Sequence, residues 1–267
     1  MLHTGDELNP VRRVVSTFLS PLATAYALVV VLLYLVSRRP GRWTAAAAGI
    51  AYAGLLWTHT RAAFLALAGG LVVLALVQRR WIPVGLAVAS LLLGVAFVKA
   101  FPDIGPSTSY TAAELDYLRG QGRAHPGVGT DPLGGDDAST ASHLRHLRDG
   151  VEAVLGHPQG HGLGNSGVNA SRTGVVPLAG ESTYTEIGVD TGLVGMAVFV
   201  AWLLAVLAGL SHRSAWLTAA WAAMLAIGIQ TDVIGIHWIA YVVFALAGAA
   251  LGGGLSDDKP ARGPTTE

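Results

Sequence analysis

With 267 residues, 52% of them hydrophobic and only 13% charged, the chain is far more apolar than a soluble domain, in which roughly a quarter of side chains carry charge. Seventeen basic side chains balance seventeen acidic ones, so there is no net basic face to displace counterions, and nucleic acid is excluded as a partner. The absence of cysteine removes disulfides and thiolate metal sites.

Apolar runs bounded by charge predict an all-α polytopic membrane protein with about seven transmembrane helices, at 17–37, 43–60, 62–78, 81–98, 187–210, 214–231 and 236–253. Trp43, Trp57, Trp81, Trp216 and Trp238 fall at segment ends, as an interfacial aromatic belt requires. The turns carrying Arg38, Arg39 and Arg42, then Arg79 and Arg80, then His212 and Arg213 share one side if the spans alternate, and a concentration of arginine marks that side as cytoplasmic. Alternation sets the 99–186 loop, the Thr58-His59-Thr60-Arg61 turn and the 231–237 turn on the outer face. It also sets Arg12 and Arg13 outside, which violates the charge rule and is expected of a chain that begins mid-fold. The division is then 1–98 (four membrane helices), 99–186 (extracytoplasmic loop), 187–253 (three membrane helices) and 254–267 (a disordered cytoplasmic tail).

Within the large loop, residues 102–139 are rich in Gly, Pro, Asp, Ser and Thr, a composition of irregular chain. Leu144, Leu147, Val151, Val154 and Leu155 recur on one helical face and predict an amphipathic helix over 140–155, with Ser139, Thr140 or Ser142 as its cap. Such a helix lies on the membrane surface or on the bundle, with Arg145, Arg148 and Glu152 beside the stripe. Arg148 and Glu152 also suit a plain surface ion pair. After it comes His157-Pro158-Gln159-Gly160-His161-Gly162-Leu163-Gly164-Asn165. Four glycines between 160 and 167 suit either amides that cradle a phosphate or a tight re-entry into the membrane. Pro158 and Gly160 oppose the helix that would let His157 and His161 share a metal, and no metal site is expected.

Arg61 at the start of a span is costly unless it meets an anion or anchors at the interface. Glu181, just before the fifth span, is placed to act as a base near the headgroups, or is a solvated interfacial carboxylate. Asp190, just inside that span, needs a partner, because a carboxylate at membrane depth rarely lacks one. Asp232 and His237 share the 231–237 turn.

The order of these features resembles the C-terminal part of the O-antigen ligase/polymerase family of membrane glycosyltransferases. The resemblance is carried by Arg13-Val14-Val15-Ser16-Thr17-Phe18-Leu19-Ser20-Pro21, by Thr58-His59-Thr60-Arg61-Ala62-Ala63-Phe64-Leu65-Ala66-Leu67, by the amphipathic helix leading into the 157–164 stretch, and by residues 181–195, Glu181-Ser182-Thr183-Tyr184 through Asp190-Thr191-Gly192-Leu193-Val194-Gly195. It implies transfer or polymerisation of a glycan from an undecaprenyl-diphosphate-linked donor onto a sugar acceptor, at the outer face of the bacterial cytoplasmic membrane. It further implies an inverting reaction without cofactor, metal or nucleotide sugar, with other polysaccharide-assembly proteins as partners. Carried over by position, Arg61 and Arg145 or Arg148 grip the diphosphate, with His157 and His161 as further ligands, and Arg61 and Glu181 are the catalytic pair. The sequence departs from the family in carrying Glu181-Ser182 where ligases have His-Asn, which points toward polymerase-like relatives, and in having fewer spans. A transporter of polysaccharide or small solute, or an inactive, truncated accessory subunit, are the competing readings; the former requires ionisable residues at mid-span, whereas here they cluster at span ends.

Overall fold

The computed structural model describes residues 3–4, 11–12, 14, 16–18, 20–104, 109, 111–113, 115–116, 138–180, 182–236 and 239–253. Glu181, His237, Trp238 and the 254–267 tail, for which the sequence gives expectations, lie outside them, as does most of 105–137.

The described chain is helical apart from a two-residue antiparallel ladder pairing His3–Thr4 with Val11–Arg12. Helix α1 (Pro21–Ser37) opens on Ser20, whose hydroxyl accepts from the Ala23 amide while Pro21 occupies the first turn, where a missing N–H costs nothing. Helices α2 (Arg42–Trp57), α3 (Arg61–Gln78) and α4 (Ile82–Ile104) follow, joined by turns too short for anything but antiparallel neighbours. Then come α5 (Ala138–Gly156), α6 (Gly167–Thr173), α7 (Thr183–Ser211), α8 (Ala215–Ile227), α9 (Val233–Ile236) and α10 (Ile239–Leu251). Each of the seven apolar runs falls on a helix. Three stretches, 61–78, 82–101 and 183–211, are long and apolar enough to cross a membrane, while α1, α8 and α10 are shorter apolar helices.

The core forms where α1, α3, α8 and α10 meet, around Tyr26, Leu33, Leu74, Leu217, Trp221 and Val243. Buried alanines on α8 (Ala219, Ala220, Ala223) let it approach α3 closely, the usual device where helices pack without a hydrophobic driving force. At the crossing, Leu33 and the Ala219 carbonyl abut Gly70. Trp221 donates from Nε1 to the Leu203 carbonyl, tying α8 to α7.

The fifth predicted span, 187–210, is corrected by the structure. Helix α7 starts at Thr183 and breaks at Gly192 (φ 77°, ψ 180°) into arms 183–191 and 193–211. Gly188 on the first arm lies against Met196 Sδ on the second. Tyr184, Phe199 and Leu203, which a straight helix would spread over about 22–28 Å, line one crevice with Leu225 and Phe244. The arms therefore fold against each other as a V. Only the second arm, about 28 Å of helix, has the reach of a span.

The predicted 140–155 helix exists as α5 and packs on α7. Because it begins at Ala138, Ser139, Thr140 and Ser142 lie inside it and do not cap it. The predicted apolar stripe is only partly used: Val154 is buried with Ala179 and Val189, whereas Leu144, Val151 and Leu155 are exposed.

Candidate functional site

One end of the bundle gathers buried polar groups. Ser182 and Thr183 reach the Gly228 carbonyl through a hydroxyl and an amide, Thr183 Oγ1 donates to Thr231 O, and the Val233 amide donates back to Thr183 Oγ1. Tyr26 OH meets Thr231 Oγ1 at 3.2 Å. Asp232, buried, accepts from the Ile234 amide and so caps α9.

Arg61 belongs to the same end. Helix α3 runs parallel to α1 and antiparallel to α8, and Arg61 and Gly228 each lie about 13 Å beyond the Gly70–Ala219 contact. The preceding turn is built of Thr58, whose hydroxyl donates to Leu55 O, of His59 in a left-handed conformation (φ 49°), and of Thr60, whose hydroxyl donates to Thr58 O. The His59 ring is wedged between Phe97 and Phe101, with centroids at 5.6 and 4.6 Å, and Trp57 completes the aromatic cluster. Arg61 is exposed in the first turn of α3, a turn that carries no Asp or Glu of its own. A guanidinium at the positive end of a helix dipole makes a local anion attractor.

The 157–165 loop sits in the break of α7. His161 and Gly162 donate their amides to the Val189 and Asp190 carbonyls, closing the first arm, and Leu193 at the start of the second arm donates to Pro158 O. The Asp190 carboxylate accepts from the Gly164 and Asn165 amides, both at 3.2 Å, so the partner that its depth demands is main chain. The Asn165 side chain closes the loop onto the His161 and Gly162 carbonyls. Gly160 (φ 83°) and Gly192 interlock: a Cβ on either would collide with the other segment's backbone. Of the two uses open to these glycines, the structure takes the tight junction. The amides of residues 160, 161, 162, 164 and 165 are spent on protein acceptors and form no phosphate cradle.

The His157 and His161 rings stack at 4.3 Å, and His161 Nε2 is buried without a hydrogen-bond partner. Among the described residues, no three of His, Asp and Glu are grouped as a metal site would require. Glu186, five residues after Glu181, is a buried carboxylate whose oxygens press against Gly167, while Ser166 donates to its carbonyl.

Arg145 and Arg148 are exposed on α5, whose main packing partner is α7, whereas α3, which carries Arg61, packs on α1, α4 and α8. Arg148 Nε donates to Glu152 Oε1 at 2.7 Å, and that hydrogen bond raises the already high pKa of the guanidinium. With both side chains largely exposed, the pair contributes little stability.

The sequence alone did not single out Gly192 or Glu186. The signal for the first was present, a glycine inside an apolar run directly after Asp190-Thr191; a buried carboxylate like Glu186 has no sequence signature.

No curated protein and no solved structure matches the chain. The family model for O-antigen ligase matches residues 46–200, a stretch that holds the Arg61 turn, α5, the 157–165 loop and both arms of α7 up to Val200. Because that match covers more than half of its length, the chain belongs to the O-antigen ligase family.

Proposed function

We propose that the chain is a glycosyltransferase that transfers or polymerises glycan from an undecaprenyl-diphosphate-linked donor onto a sugar hydroxyl at the outer face of the bacterial cytoplasmic membrane. The observation that carries this reading is Arg61 in the first turn of α3, at the same end of the bundle as the buried hydroxyls of Ser182 and Thr183, all three inside the family-matched stretch. In the reaction, Glu181 takes the acceptor proton and the acceptor oxygen attacks the anomeric carbon from the face opposite the diphosphate. The glycosidic C–O electron pair departs on the diphosphate. Charge grows on that leaving group, and a bidentate guanidinium in a low-dielectric setting stabilises it. Arg61 holds this role, Arg145 or Arg148 supplies the second cation, and His157 and His161 donate to the same phosphates. Neither metal nor nucleotide sugar takes part.

The test uses the full chain in proteoliposomes with a polyprenyl-diphosphate oligosaccharide and a sugar acceptor, product being read on gels. Arg61→Ala is expected to lower turnover by at least the 10²–10³-fold that loss of one transition-state donor costs, with membrane insertion unchanged. Product of unchanged length and yield from Arg61→Ala overturns the reading.

A further inference from the structure

We propose that α5 is an interfacial helix, whose exposed apolar flank is seated among the acyl chains of the leaflet at the polar end of the bundle. The argument begins with the asymmetry of its two flanks. Gly150 and Val154 define the line of contact with α7: Gly150 faces Thr185, and Val154 faces Gly188. At 100° per residue, one side of that line carries Leu147, Val151, Leu144 and Leu155 in succession, and the other carries His146, Ala153 and Asp149. A helix merely solvated beyond its contact would be polar on both sides. Here Leu144, Val151 and Leu155 keep 63%, 43% and 64% of their surface exposed, all on one side.

The fold-back of α7 supplies the depth. Contacts 150 to 185 and 154 to 188 run in register, so α5 follows the first arm from the break toward Tyr184. Tyr184 in turn donates to the Leu225 carbonyl and shares a crevice with Phe199 and Leu203 of the second arm, the part of α7 with the reach of a span. The apolar flank thus descends alongside the bundle and meets lipid. Around the helix from Leu155 come Arg148, its partner Glu152 and then Arg145, so the apolar flank ends on a charged border whose long stems can lie along the interface. An amphipathic helix with apolar side chains on one flank and a charged border at its edge fits the interface of a leaflet.

The chain has no cysteine, so single substitutions label without ambiguity. The full chain, carrying Leu144→Cys, Val151→Cys, Leu155→Cys or Asp149→Cys with a bimane fluorophore, is reconstituted in phosphatidylethanolamine–phosphatidylglycerol vesicles. Val198→Cys on the second arm of α7, 64% exposed, sets the lipid-facing scale. The expected pattern is several-fold stronger quenching by doxyl-labelled phospholipid at 144, 151 and 155 than at 149, and the reverse order with aqueous iodide. Iodide quenching equal at all four α5 positions overturns the proposal in favour of a solvated helix. Protection from both quenchers at 144, 151 and 155 overturns it in favour of cover by protein. All labelled positions are exposed, so folding is not at stake, and the readout is independent of glycosyl transfer.

Discussion

Asp190 holds the loop to the broken helix through two main-chain donors, and a carboxylate that accepts two amides gives more than a neutral acceptor would. Asp190→Asn presents an N–H to one of those amides, and the loss is expected to be about 1.5–3 kcal/mol. It should appear as a lowered Tm in detergent and faster proteolysis within 157–166; an unchanged Tm would mean that the interlocked glycines suffice. The need for a partner at residue 190 was legible from its depth in an apolar run, but the partner's identity was not. Main-chain amides carry no residue-specific signature, and those of Gly164 and Asn165 lie 25–26 residues away in sequence. The same limit applies to the 160–167 glycines. Their pattern fits a phosphate cradle or a tight re-entry equally, and only the acceptors opposite them decide.

At the scale of the element, α5 is positioned by small residues where it crosses α7. Gly150 leaves no room for a side chain, since a Cβ there would stand 2.9 Å from Thr185. Gly150→Val is expected to cost about 1–3 kcal/mol by overpacking and to release the helix. Hydrogen exchange across 143–156 should rise toward that of a free peptide, while exchange in α3 and α8 stays slow. Periodicity correctly placed this helix to within two residues at either end, because a long amphipathic repeat is a strong signal. It misjudged how much of the stripe the protein covers, because periodicity reports an apolar face and says nothing of what lies opposite. The apolar run at 187–210 misled for a related reason: composition cannot tell a straight span from two arms folded on each other, and the difference rests on the single backbone conformation of Gly192.

For the whole molecule, the placement of arginine makes a direct claim on topology. Cysteines at Arg39, Arg80 and Arg213 are expected to react with a membrane-impermeant thiol reagent only after permeabilisation, and those at Trp57 and Gln230 from outside; the opposite pattern would invert the orientation and remove Arg61 from the outer face. The helical membrane architecture was readable from hydropathy because each run of apolar residues answers to one physical demand, that backbone polar groups be satisfied within the segment. The candidate site was less readable, since it is assembled from the α2–α3 turn, the start of α7 and the α8–α10 connection. These stretches are far apart in sequence, and the last two are linked by hydroxyls, amides and carbonyls, with no charged side chain in those bonds.

The V of α7 also constrains how the protein matures. Were the 183–211 stretch to thread as one rod, the carbonyls of Val189 and Asp190 would find their donors within the same helix, and nothing outside would be required. Bent at Gly192, those acceptors, the Leu193 amide and the Asp190 carboxylate all depend on residues 157–165. Orphaned main-chain groups in hydrocarbon are too costly to persist. Bending and docking are therefore expected as one concerted act, in which the 157–165 loop and the two arms of α7 scaffold each other.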